Sequence, residues 1–72
     1  MRVSARDESS ALLLYRIRGE YLEMPGLRLT IEQAARLWHL DAGICAAVLM
    51  QLVADRFLTQ TRHGAYVRLD QA

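Results

Sequence analysis

Lysine is absent from this chain, and cysteine, proline, tryptophan and phenylalanine occur once each. Each shortage excludes something. A lone cysteine, Cys45, cannot form an internal disulfide, which fits a reducing compartment. No run approaches the roughly 18 consecutive apolar residues of a membrane span, so no membrane partner is expected. The opening residues Met1 to Arg6 carry early charge, but Asp7 and Glu8 stand where the apolar centre of a signal peptide would be. A cytoplasmic location is therefore expected. No internal repeat, low-complexity tract or linker interrupts the chain. The nine basic residues are all arginine, which genomic base composition explains as readily as function does. Against eight acids they leave a net charge of +1 and a pI of about 8.0, too mild to argue for nucleic-acid binding alone.

Catalytic and metal signatures are equally scarce. Glu20 and Glu23 lie three apart on one helical face, a spacing that exposed helices commonly carry without any cleft. One cysteine and two separated histidines, His39 and His63, fall short of the four ligands and recognisable pairs of a zinc site. There is no glycine-rich phosphate loop and no serine–histidine–aspartate arrangement in a supporting context. Neither enzymatic activity nor a cofactor is expected, and Trp38 is read as core before it is read as a stacking platform.

What is present is one small domain. The 72 residues are 53% hydrophobic and 24% charged, which excludes a disordered chain. A chain of this size buries only roughly 60% of its unfolded surface, so its stability is marginal unaided. Residues 1–6 are polar and aperiodic and read as a loose arm; Arg2 and Arg6 would touch phosphate or a minor groove only if the arm is used. The domain is expected over residues 7–70.

From about Asp7 to Glu23 the pattern is helical, with Leu13, Leu14, Ile17, Tyr21 and Met24 on one face. Asp7 and Glu8 favour the positive end of the helix dipole. Gly19 costs about 1 kcal/mol against alanine and would let another element approach closely. Pro25 ends the helix and Pro25-Gly26 turns, with positive φ open to the glycine. Leu27-Arg28-Leu29 suits a very short strand. Thr30-Ile31-Glu32-Gln33 is a capping box opening a second helix that runs to about Trp38. His39-Leu40 turns, and Asp41 caps a third helix to about Asp55. Its expected inward stripe is Ile44, Cys45, Val48, Leu49 and Leu52. Phe57 to Thr61 alternates as a strand, His63-Gly64 makes a two-residue turn, and Ala65 to Leu69 returns. That register sets Gln60 opposite Val67 and Leu58 opposite Leu69. It puts Leu58, Val67 and Leu69 on the core face and Thr59, Thr61, Tyr66 and Arg68 on the other.

Helix–turn–helix followed at once by a hairpin resembles the winged-helix DNA-binding domains of bacterial transcription regulators. The resemblance covers about residues 12–69 and rests on LTIEQAARLWHLD, the apolar residues Cys45, Val48, Leu49 and Leu52, and then FLTQT, HG and AYVRL. The phrase EYLEMPGLRLT is also similar to short bacterial proteins of this type, from which no activity carries over. The resemblance implies an α+β winged helix: three helices, a short strand and a C-terminal β-hairpin wing. It implies that Ala35 sits where two helices cross, that the helix after Asp41 is the recognition helix, and that residues 62–65 form the wing tip. His39 and Arg56 stand where the family usually places glycine, each costing about 1 kcal/mol if a left-handed conformation is kept.

The surface of the third helix departs from that implication. Its outward positions are Asp41, Ala42, Gly43, Ala46, Ala47, Met50 and Gln51. Base readout wants arginine, lysine, asparagine or glutamine, and only Gln51 qualifies. Residues 41–55 carry two acids and no base, a local charge of −2 that opposes phosphate attraction. Residues 56–68 carry Arg56, Arg62 and Arg68 and no acid, a local charge of +3. Double-stranded DNA is therefore expected to meet Arg62, His63 and Arg68, helped by Thr61 and Tyr66. Gln51 would help from the third helix, as would the backbone N–H groups at its start, around Ala42 and Gly43. The alternative is a protein-interaction or homodimer surface without DNA binding. It would be built on Ala46, Ala47, Met50 and Val53, or on Leu12 with Tyr15 of the first helix.

Overall fold

Three helices and a two-stranded antiparallel sheet give the chain an α+β architecture. The computed structural model describes residues 5–71, with side chains from residue 11. Helix α1 spans Ala5–Glu23. Ala5 and Arg6, expected in the arm, are thus its first residues; the remainder of that arm lies outside the described residues. Met24, the next residue, is exposed. Pro25 pushes it out of helical geometry, so the 3.6-residue period no longer carries it to the core face. The turn closes through Leu27 N–H donating to Met24 O at 2.9 Å. Positive φ among the glycines is confined to Gly64, so Gly26 turns without it. The expected strand 27–29 shrinks to a single antiparallel bridge between Leu29 and Tyr66.

Helix α2 (Ile31–Trp38) opens on the expected capping box. Gln33 N–H donates to Thr30 Oγ1 at 3.2 Å, and Thr30 N–H donates to Gln33 Oε1 at 2.9 Å. It ends with His39 left-handed at φ 54° and Leu40 N–H bonded to Ala35 O. Helix α3 (Ala42–Ala54) ends the same way, with Arg56 at φ 63°. There Arg56 N–H reaches Val53 O and Phe57 N–H reaches Leu52 O, a Schellman closure. Both positions where glycine was missed therefore do keep the left-handed conformation. Between α2 and α3 the chain turns through 112°.

Strands β1 (Leu58–Gln60) and β2 (Tyr66–Arg68) pair as Leu58 with Arg68, Thr59 with Val67 and Gln60 with Tyr66. This is one residue away from the expected register. The loop holds three residues, 62–64, not two: Thr61 N–H donates to Ala65 O, Gly64 N–H donates to Thr61 O, and Gly64 takes φ 86°. A two-residue loop of that hand would have needed positive φ at His63, whereas the longer loop asks it only of glycine.

The core joins Ile17 and Tyr21 of α1, Ala34 and Trp38 of α2, Cys45, Val48, Leu49 and Leu52 of α3, and Leu58 and Tyr66 of the hairpin. Ala34 is the fully buried alanine, and Ala35 is half-buried beside it. Tyr21 fastens α1 to the sheet, its hydroxyl donating to Tyr66 O at 2.8 Å. Gly19 admits no close neighbour, since a Cβ there would meet nothing within 4 Å. Ile44 is 49% exposed, not part of the stripe. It lies one residue, about 100°, off Cys45 and so faces sideways. No single helix among the described residues is long and apolar enough to cross a membrane.

Candidate nucleic-acid interface

The start of α3 already holds an anion, and the anion is its own. Asp41 Oδ2 accepts from Gly43 N–H at 2.9 Å and from Ile44 N–H at 3.2 Å. The cap satisfies the donors that a phosphate would have used and sets a carboxylate in its place. Ala42 and Gly43, expected to meet phosphate, are exposed, but the Gly43 N–H is already bonded to the Asp41 carboxylate. Further along, Gln51 Nε2 donates to Asp55 Oδ1 at 3.1 Å. The single base-reading side chain on the helix is thus turned along its own axis. Besides Ala42 and Gln51, α3 exposes Gly43, Ile44, Ala47, Met50 and Ala54, with Met50 61% exposed. Ala46 is half-buried, and Val53 is half-buried against the core, so only Ala47 and Met50 of the four expected interface residues face fully out.

The hairpin divides between tip and base. Arg62 and His63 are exposed in the loop. Thr61 is spent on the loop itself, its Oγ1 accepting from Ala65 N–H at 3.1 Å. Tyr66, expected on the outer face, is buried. The one-residue change of register is the reason: it turns Tyr66 to the side of Leu58 and Val67 to the side of Thr59. Arg68 is half-buried and held from two directions. Its guanidinium bonds Asp70 Oδ2 at 2.9 Å and lies 5.1 Å from the centre of the Phe57 ring. Of the five hairpin residues expected to contact DNA, the structure leaves Arg62 and His63 open, brings Arg68 into a local pair, and takes Thr61 and Tyr66 inward.

One cluster had no signal in the sequence. Arg18 of α1 also stands 5.1 Å from the Phe57 ring centre, and Tyr21 meets the same ring edge-on at 6.5 Å. Two guanidiniums on one phenyl ring tie α1 to the base of the hairpin. The residues come from positions 18, 57 and 68, so no local spacing announces them.

Cys45 is fully buried, and burial pushes its thiol up from the ordinary value. The thiolate is the reactive form, so burial disfavours reactivity at this cysteine, which packs in the core. Burial also pushes the Tyr21 hydroxyl well up, with Cys45 and Tyr66 adding to it. Both groups stay neutral where they are packed. Among the described residues no three of histidine, cysteine, aspartate and glutamate come together to hold a metal ion.

No family model, curated protein or solved structure matches the chain.

Proposed function

We propose that the chain is a winged helix-turn-helix domain of the transcription-regulator type that meets DNA through its hairpin tip and not through α3. The 112° turn between α2 and α3 falls in the range of helix-turn-helix pairs, and a hairpin follows directly. The observation that carries the reading is the exposure of Arg62 and His63 at the tip of a segment, residues 56–69, that contains no acid. Such a tip offers phosphate contacts, which position a protein without reading sequence. The partner is double-stranded DNA, bound weakly and with little base preference, and no cofactor is required. Fluorescence anisotropy on a labelled random-sequence duplex tests this directly. Micromolar affinity that falls steeply with salt supports it, and absence of binding at low salt overturns it.

A second reading is favoured by α3 itself. Met50 is exposed on the same helix as Ile44, Ala47 and Ala54, a helix whose N-terminus Asp41 closes. Those apolar side chains suit a protein partner, including another copy, with no DNA involved. Under this reading Met50→Asp lowers the mass in solution or abolishes partner binding while leaving the fold intact. An unchanged mass and unchanged partner binding remove it.

A further inference from the structure

Helix α1 is apolar on two opposite sides. Ile17 and Tyr21 are buried, with Leu13 and Leu14 packed beside them. The other side carries Leu12, Tyr15, Gly19 and Leu22, at spacings of three, four and three residues. Leu12, Tyr15 and Leu22 are 69%, 81% and 53% exposed. At about 100° per residue these four positions average directly opposite Ile17 and Tyr21. The spacing is that of alternating a and d positions in a heptad, the narrow seam along which two helices pair. Tyr15, Gly19 and Leu22, with Arg18 at the rim, line a shallow hollow whose floor is the open space above Gly19.

We propose that this stripe is a seam between two copies of the chain, the two α1 helices lying parallel and in register. The charges beside the stripe name both the occupant and the direction. With Leu12 and Gly19 at a, and Tyr15 and Leu22 at d, Arg18 falls at g, and Arg16 and Glu23 fall at e. Parallel pairing sets the g flank of one helix against the e flank of the other, so Arg18 meets the second copy's Glu23, twice by symmetry. Antiparallel pairing turns each flank upon itself and brings Arg18 against Arg18 and Arg16 against Arg16. Only the parallel pair is complementary. Within one chain Arg18 rests over the Phe57 ring at the edge of the stripe. Arg68 stacks on the same ring, so Phe57 keeps a cation when Arg18 swings outward. Gly19 facing Gly19 leaves room for the Tyr15 rings one turn away.

From Leu12 to Leu22 the seam is about 15 Å long at 1.5 Å per residue. A seam of about three turns is short, so the dimer is expected to be weak. It covers the side of α1 away from Tyr21, which is the side that bonds the hairpin. The hairpin tip and α3 stay open, and the pair stands whether or not DNA is bound.

Sedimentation equilibrium of the full chain, from micromolar to near-millimolar concentration, reads the seam. Tyr15→Glu is expected to weaken the dimer at least tenfold with an unchanged circular dichroism melt, because Tyr15 is almost wholly exposed. Arg18→Glu is expected to weaken it, and Arg18→Glu with Glu23→Arg to restore it. Leu22→Cys is expected to link to its own counterpart on mild oxidation, Cys45 being buried out of reach. A chain that stays monomeric throughout overturns the proposal, as does a dimer that Tyr15→Glu leaves intact. A cross-link that forms only between Leu12→Cys and Leu22→Cys chains overturns the parallel arrangement.

Discussion

Helix α3 and the hairpin are neighbours in the chain and opposites on the surface. The helix has a local charge of −2, and each of its polar handles is closed on the helix itself: Asp41 on two N–H groups, Gln51 on Asp55. The hairpin has a local charge of +3 and keeps its two tip residues open. In a fold of this shape the helix would be assigned the reading role by its place alone. The function proposed above assigns it otherwise. A surface acts through groups that are still unsatisfied, and in α3 those are methyl and thioether groups, whereas in the hairpin tip they are cationic.

The largest expected contrast lies within α3, between adjacent residues. Leu49 is fully buried, so Leu49→Ala should cost about 2–5 kcal/mol by transfer and cavity terms together. Met50→Asp, one position on, should stay within about 0.5 kcal/mol in the monomer. Urea unfolding at low protein concentration measures both, and a large loss at Met50 would mean that the outer face is covered within one chain. The hairpin loop gives the next effect. Gly64 holds φ 86°, so Gly64→Ala should cost about 1–2 kcal/mol and loosen the position of Arg62, lowering DNA affinity together with stability. If the loop instead used two residues in a type I′ turn, His63 would share the positive φ and His63→Gly would stabilise as well.

Smaller effects, of the opposite sign, are expected where α2 and α3 end. His39→Gly and Arg56→Gly each relieve a left-handed side chain and should stabilise by up to about 1 kcal/mol. Thermal unfolding reads this as a rise in Tm. Arg56→Gly also removes one cation from the base of the hairpin, so its effect on DNA affinity separates base from tip. A marked loss of binding in Arg56→Gly would move the contact surface towards α3.

Helix boundaries were legible because their signals are local and chemically specific. Thr30 with Gln33, Asp41 before Ala42, and Pro25 each act within one turn of chain, and each was found where expected. The left-handed ends at His39 and Arg56 were only a conditional expectation, drawn from the resemblance that usually puts glycine at both places. The hairpin register was not, because a histidine–glycine pair reads equally as a two-residue turn or as the end of a three-residue loop. Conformational cost decides between them: the longer loop places positive φ on Gly64 alone. That single residue moves Tyr66 from the outer face to the core and removes it from the candidate site. Burial at the ends of the helices escaped periodicity for a related reason. Met24 and Ile44 lie where a helix is stopping or starting, and the core there is bounded by the turns. The pairing of Arg18 and Arg68 on Phe57 depends on contacts between distant positions, which spacing along the chain does not encode.

The hairpin's claim over α3 is tested most directly by making each surface more negative in turn, by one unit at Gln51 and by two at Arg62. Gln51→Glu and Arg62→Glu would be titrated with the parent chain against the same random-sequence duplex, across a range of salt. The account predicts that Arg62→Glu weakens binding at least tenfold at low salt and flattens the salt slope by about one phosphate contact, with Gln51→Glu within twofold of the parent. If Gln51→Glu abolishes binding and Arg62→Glu leaves it unchanged, α3 lies against the DNA and the account is contradicted.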